Sequence, residues 1–315
     1  MNDHDRILAS QAQTDRTSDL HDTTVPTPQP PSVRFYRPCA ALSELITSIY
    51  VVEVDRPFVD HLHPEWGNIR LIIRGNWTTR LLGSSTDVNR AATLYGPTDR
   101  TRRVETDGGA IVGIGLTPLG WLKLIDDDAA PYANRVVDLG NLLGVSGLAL
   151  IDDLKNASEQ SWIATLSALL QSRVKEVLRE EGQVRAIHRA LIADGHNSAT
   201  LLEQATQLTE RTLFRVCIRA FGFPPKRLLR RQRFLRALDS IGQEQTQSLG
   251  ELLGDQYFDQ SHFIREFRRY MGMTPTNYFR SPREALRRAA AERKRLIGAS
   301  LQGLHPAVPP YSPTS

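Results

Sequence analysis

The chain of 315 residues reads as a multidomain α+β protein. A β-barrel-like N-terminal part is followed by linker helices and an all-α C-terminal part holding two helix-turn-helix units. Three observations carry that reading. Short β-branched and apolar runs, separated by turn signals, fill residues 33 to about 140. Apolar residues recur at helical spacing from 146 onward. A capped helix, a turn and a second capped helix occur twice beyond residue 197.

Residues 1–32 are rich in Thr, Ser, Asp, Gln and Pro, end in Pro26-Thr-Pro-Gln-Pro-Pro31, and show no apolar periodicity, so a disordered tail is expected. The acidic, polar start is not a secretory signal. No run of ~20 apolar residues suits a membrane span. The longest apolar stretch, Ala110 to Ile125, is interrupted by Pro118 and Lys123 and reads as a buried strand, a turn and a short helix. Cys39 and Cys217 are the only cysteines and fall in different domains, which suits a reducing cytoplasm and argues against a disulfide framework.

Residues 33–145 form the β-rich domain. Ser48-Ile-Tyr-Val-Val-Glu-Val is apolar and β-branched, and Ala92-Thr-Leu-Tyr and Ala110-Ile-Val-Gly-Ile-Gly-Leu add two more strands. Ile69–Arg74 and Trp77–Leu82 flank Gly75-Asn76, which predicts a two-residue hairpin. Several short strands imply a small barrel or half-barrel, long enough to bury its own core. His61-Leu-His63-Pro-Glu65 is the segment that invites a metal, because histidines at i, i+2 on a strand point the same way and a carboxylate follows, as in a cupin-like site. That pattern needs a wider gap and a further histidine, and no other histidine lies between 22 and 187. The expectation is therefore two polar side chains near a barrel mouth and no metal. No Walker loop, nucleophile elbow or paired catalytic carboxylates occur, so no catalytic residues are assigned and an enzyme is not expected. The competing class is a cupin-like metal enzyme or a small-molecule binding protein.

Residues 146–182 predict two linker helices, Ser146 to Asn156 and Ser158 to Gly182. Trp162, Leu166, Leu169, Val174 and Val177 form an apolar stripe, which either packs against the barrel or makes a dimer contact.

Residues 183–298 hold the most informative segment. Between 248 and 279 a short helix, a turn and a second helix are expected, the second capped by Asp259 and ended by Gly272. Phe263 and Phe267 fall at i, i+4 and face inward, leaving Gln260, Ser261, His262 and Arg265 outside near the helix start, where a helix-turn-helix presents side chains to base edges. A weaker copy lies upstream, with a helix from Ser198 and a second one from Thr209 to Gly222. Superimposing the copies matches Thr209 with Asp259, Leu213 with Phe263, Arg215 with Arg265, Cys217 with Phe267 and Gly222 with Gly272. Between them Pro225 to Ile241 predicts a long basic helix, a solvated connector with Leu228, Arg231, Leu235 and Leu238 on one stripe and its arginines in water. From 181 to 298 there are 21 Lys and Arg against 12 Asp and Glu, a net of +9 in a chain of net +4. Such asymmetry is expected when one domain neutralises phosphates. Residues 299–315 carry no charge and are expected to be a second disordered tail.

This tandem arrangement resembles the C-terminal DNA-binding domain of the AraC/XylS family of bacterial transcription regulators, most clearly in Phe258-Asp-Gln-Ser-His-Phe-Ile-Arg-Glu-Phe-Arg-Arg-Tyr-Met-Gly-Met-Thr-Pro-Thr-Asn-Tyr278. The resemblance covers roughly 183–282. It implies that the two units read successive major-groove segments, with Gln260, Ser261, His262 and Arg265 as base readers in the second and Arg211, Phe214 and Arg215 in the first. The N-terminal stretch is similar to the effector-type domain of one AraC-like subgroup, on Tyr36-Arg-Pro, Pro64-Glu-Trp-Gly-Asn-Ile-Arg70, Leu94-Tyr-Gly-Pro97 and Arg135-Val-Val-Asp-Leu139. It does not name a ligand. The partners so implied are duplex DNA, a small-molecule effector, a second copy of the chain and RNA polymerase. No cofactor and no membrane are among them, and the location implied is the cytoplasm.

The sequence departs from the family at three points. Gln207 and Gln256 stand in the turns where glycine is usual, at a cost on the order of 1 kcal/mol for a left-handed non-glycine. Phe214 replaces a usually polar position, where it contacts a thymine methyl group or packs. Glu210 brings a carboxylate near phosphates. The first unit is thus expected to position more than it specifies.

Overall fold

The computed structural model describes residues 30–140, 147–176, 178–193, 198–243, 260–281 and 283–306. Seven strands make one antiparallel sheet: β1 (Ser32–Tyr36), β2 (Ile46–Val54), β3 (Phe58–Leu62), β4 (Asn68–Leu81), β5 (Ala92–Tyr95), β6 (Arg102–Leu116) and β7 (Val136–Asp138). Their order is β1-β2-β6-β4-β5-β7, with β3 paired to β6. β6 is the spine. Its first half pairs with β3 and the end of β4, and its second half pairs with β2 and the start of β4.

The hairpin expected at Gly75-Asn76 is not formed. β4 runs through these residues as one strand of 14 residues, because Trp77 to Leu81 continue to pair with β6 instead of reversing. The ladder shifts register between Ile72 and Arg74 and again between Gly75 and Trp77. Gly75 has φ +78 and pairs with Gly109, and a Cβ on Gly75 would lie 1.8 Å from the Gly108 carbonyl oxygen. Paired glycines let two backbones approach at a bulged corner, so the dipeptide bends the sheet rather than ending the strand. Ala110 to Ile125 folds as expected: β6 ends at Leu116, and the Thr117 hydroxyl accepts from the Gly120 amide to cap a short helical turn.

Of the linker helices, α1 (Gly147–Lys155) and α2 (Glu159–Ser172) form, but α2 stops well before the expected Gly182. The chain leaves it at Arg173, and the Lys175 amide donates to the Lys123 carbonyl 2.9 Å away while its ammonium pairs with Asp126. That docking on the barrel ends the helix. Trp162, Leu166 and Leu170 are buried in the same core as the barrel strands, with Leu169 and Val174 packed on it, so the stripe is consumed within the chain. Val177 lies outside the described residues.

The C-terminal half contains α3 (Glu181–Ile192), α4 (Ala199–Thr206), α5 (Glu210–Val216), α6 (Pro225–Gln243), α7 (Gln260–Met271), α8 (Pro275–Arg280) and α9 (Glu284–Ile297). α6 joins two cores. Its Leu228 and Leu229 belong to the cluster that includes the barrel, and Phe234, Leu235 and Leu238 to a second one with Phe263, Phe267, Tyr270 and Tyr278. Each fully buried phenylalanine contributes on the order of 1.5–3 kcal/mol of hydrophobic free energy.

Two expectations fail here for one reason, the contact between the halves. α6 is not a solvated connector: Arg231 is 0% exposed, its guanidinium 3.7 Å above the Trp66 ring and donating to the Thr98 carbonyl. Burial pushes that guanidinium down to about 9. Residues 299–306 are not a disordered tail either. Leu301, Gln302, Gly303 and His305 are buried, and Gln302 accepts from the Trp66 amide at 2.6 Å while donating to the carbonyls of Gly67 and Leu116. The expected disorder of the N-terminal tail falls on residues of which 1–29 lie outside the described ones.

Candidate nucleic-acid interface

In the first unit Ser198 caps α4 by accepting from the Leu201 amide, and α4 ends at Gln207 with φ 55, the left-handed glutamine that the sequence required there. Thr209 caps α5 by accepting from the Thr212 amide. Leu213, Val216 and Cys217 point inward, and the chain continues through Cys217–Phe221 to Gly222 at φ 77. The outer face carries Arg211, Phe214 and Arg215, with Phe214 50% exposed. Half of the Phe214 surface thus faces solvent, on the side that the helix turns outward.

In the second unit α7 buries Phe263, Phe267, Tyr270 and Met271, and Phe234 of α6 stacks on Tyr270 with ring centroids 4.6 Å apart. Ser261 and Arg265 are exposed and His262 is half-buried. Gln260 opens the helix, while Gln256 and Asp259, expected as its cap, lie outside the described residues. Gly272 at φ 73 ends α7, and Thr274 caps α8 by accepting from the Asn277 amide, with Pro275 at the first helical position. The matches between the units thus hold for Leu213 with Phe263, Cys217 with Phe267, and Gly222 with Gly272, which share burial or φ.

Arg215 and Arg265 differ in their electrostatics. Arg215 and Arg219 both donate to the Glu180 carboxylate, which sits just before α3 and is largely buried. Burial alone would raise that carboxyl, but the two guanidiniums hold it below its usual range. Arg219 also pairs with Asp128 at 2.9 Å. Other arginines of the basic half are likewise committed. Arg227 binds Asp99 through two bonds of 2.5 and 2.9 Å, and Arg230 and Arg233 converge on Glu266. Arg211, Arg265, Arg268, Arg269 and Arg280 remain exposed. The net charge of the half thus overstates what is available to phosphates, and the adjacent pair Arg268-Arg269 on α7 was a signal in sequence that pattern reading of the helix start passed over.

The histidine pair does not assemble a metal site. His63 is hydrogen-bonded to the Tyr278 hydroxyl at 2.5 Å, and burial with nearby Arg283 pushes its imidazole down to about 3. Glu65 accepts from Arg70 at 2.7 Å and from Asn68 at 3.2 Å. Among the described residues no three His, Cys, Asp or Glu side chains are grouped to hold a metal. No described helix is long and apolar enough to cross a membrane.

Residues 202–281 match the model of a helix-turn-helix domain family, which spans most of both units. No curated protein sequence matches the chain. Among solved structures, ToxT from Vibrio cholerae O395 aligns at 10% identity over 72% of this chain and 95% of its own, with a TM-score of 0.40. The AraC-like transcriptional activator CuxR aligns at 15% identity over 66% and 86%, with a TM-score of 0.26.

Proposed function

We propose that this chain is a DNA-binding transcription regulator of AraC type whose two units read one duplex with unequal roles while the barrel controls them, a reading supported by the match of residues 202–281 to a helix-turn-helix domain family. Support comes from the pairing just described, with equivalent helices in the two units but an arginine free in one and held in the other. In the second unit Gln260, Ser261, His262 and Arg265 read bases, and Arg268 and Arg269 on the same helix neutralise phosphates. In the first unit Arg211 and Phe214 touch the groove, Phe214 against a thymine methyl group. Arg215 contributes there only when Glu180 gives it up.

The barrel is the controlling element because it is continuous with the reading surface. The Ala129 amide donates to the Arg219 carbonyl at the end of the first recognition helix, and the Thr101 amide donates to the Tyr270 carbonyl near the end of the second. A ligand that shifts the barrel therefore shifts both helices. Working on DNA, the protein acts in the cytoplasm.

The test is binding of the full chain to duplex DNA in a salt series. Affinity should fall linearly in a log–log plot with about −0.9 per neutralised phosphate. Footprinting should protect two major-groove segments about one helical turn apart. A folded chain that binds no duplex at low salt would overturn the reading.

A further inference from the structure

The loop between β5 and β6, residues 96–101, is buried at every position but Arg100. Connecting loops ordinarily run over the surface, where water satisfies their backbone groups. This one is covered by the C-terminal half and touches it at three places. Pro97 lies against Gly222, which ends the helical stretch continuing α5; a Cβ on that glycine would come 3.3 Å from the proline Cγ. The Thr98 carbonyl accepts from Arg231 at 3.2 Å, and the Asp99 carboxylate accepts from Arg227 at 2.5 and 2.9 Å, so α6 is held one turn apart at two points. The Thr101 amide donates to the Tyr270 carbonyl at 2.8 Å, in the last turn of α7. One short loop thus bears on both helix-turn-helix units and on the helix between them.

Asn134 fixes the loop from the barrel side. Its backbone, at φ 61, is in the left-handed conformation that asparagine takes more readily than most residues. Its amide donates to the Pro97 carbonyl at 2.8 Å, its side-chain oxygen accepts from the Asp99 amide, and its side-chain nitrogen donates to the Asp99 carboxylate at 2.9 Å. The Thr98 amide donates to the Glu65 carbonyl and the Thr101 hydroxyl to the Leu62 carbonyl. Asp99, 2% exposed, therefore joins the two sides, its carboxylate shared between Asn134 and the α6 guanidinium. Burial alone would raise that carboxyl, but Arg227 and Asn134 hold it below its usual range.

We propose that the loop 97–101, with Asp99 as its positioning residue, sets the spacing at which the two units read DNA. The proposal rests on the reading that both units engage one duplex. Each unit packs on α6 through its own apolar core, one holding Leu228 and Leu229, the other Phe234, Leu235 and Leu238. Packed helices can slide a little against one another, whereas the hydrogen bonds to Arg227, Arg231 and Tyr270 fix distance and angle. Successive base pairs lie about 3.4 Å apart along the duplex. The register of reading therefore changes when one unit moves by little more than the length of a hydrogen bond.

In vitro selection by the full chain from random duplexes about three helical turns long tests this. The wild type should select two sequence blocks at one spacing. Inserting or removing one base pair between the blocks should weaken its binding at least about tenfold, comparable to one mismatched pair. Asp99→Asn puts a donor where Arg227 needs an acceptor. It should select the same two blocks over a spread of spacings and bind the shifted duplexes within about threefold of the original. Arg227→Gln, at a partly exposed side chain, should do the same and serves if Asp99→Asn does not fold. A merely structural role would weaken binding at all spacings alike and keep the distribution narrow; that result in a folded variant would overturn the proposal. Two blocks at variable spacing in the wild type would overturn the proposal alone. A single block would overturn the two-unit reading with it, and selection of no sequence would overturn DNA reading as well.

Discussion

The guanidinium of Arg231 lies 3.7 Å above the indole of Trp66, and this stack joins the helix between the two helix-turn-helix units to the barrel. Trp66 is also flanked edge-on by His188 and Phe221, at 5.7 and 5.5 Å between ring centroids. Three side chains of the C-terminal half thus meet one ring of the barrel part. Trp66→Ala should cost about 3–5 kcal/mol. In urea unfolding followed by circular dichroism it should also broaden or split the transition as the halves uncouple. Arg231→Met and Arg231→Ala both remove a buried cation and recover its desolvation penalty, but Met keeps the bulk and should cost less, because Ala leaves a cavity.

Arg265 and Arg215 predict opposite outcomes. Arg265→Ala should cost about 1–3 kcal/mol of binding and relax preference at one base pair, as measured by competition against a series of site variants. Arg215→Ala should cost little DNA affinity while Glu180 holds that side chain. Glu180→Gln should release Arg215, while Asp128 still holds Arg219, and steepen the salt dependence by about 0.9 in slope for the one new phosphate contact. An unchanged slope would show that Arg215 stays away from the backbone even when freed.

The buried histidines set an acid limit. Burial pushes His188 down to about 4, so it stays neutral in the fold at pH values where the unfolded chain binds a proton. Stability from this group is intact above the unfolded value near 6.5 and declines as pH falls through the window from there to about 4. By pH 4 the loss is on the order of 3 kcal/mol. His188→Leu should flatten this part of the profile of melting temperature against pH.

Gly75→Ala should be severely destabilising, since a Cβ there would overlap the Gly108 carbonyl oxygen at 1.8 Å and the residue holds a positive φ. Neither strand can move without breaking the other's ladder. Gly182→Ala is the control, because a Cβ at that glycine meets nothing within 4 Å. The measurement is soluble yield and melting temperature of the two variants side by side.

Local chemistry decided much of this molecule before it folded. Thr209 and Thr274 cap helices, Gly222 and Gly272 end them, and Phe263 and Phe267 turn inward, because caps, left-handed termini and i, i+4 spacing act within a few residues and need no partner elsewhere. The outward faces of α5 and α7 were legible for the same reason. What depends on contacts between distant segments was not. Gly75-Asn76 carries the local signal of a turn, yet the glycines of β6 opposite it make it a bulge in a continuous strand. The arginine-rich α6 reads as a solvated connector until Trp66, far away in the chain, provides a face for Arg231. Glu180 and Arg215 are 35 residues apart, so only the packed structure shows that an outward-facing arginine of the first unit is held. The uncharged segment 299–306 lacks any pattern of its own, and Gln302 takes its side-chain hydrogen bonds from the Trp66 amide and the Gly67 and Leu116 carbonyls. Propensity is a property of neighbours in sequence, whereas burial, charge pairing and strand partnership are properties of neighbours in space, and the tertiary structure alone brought these together.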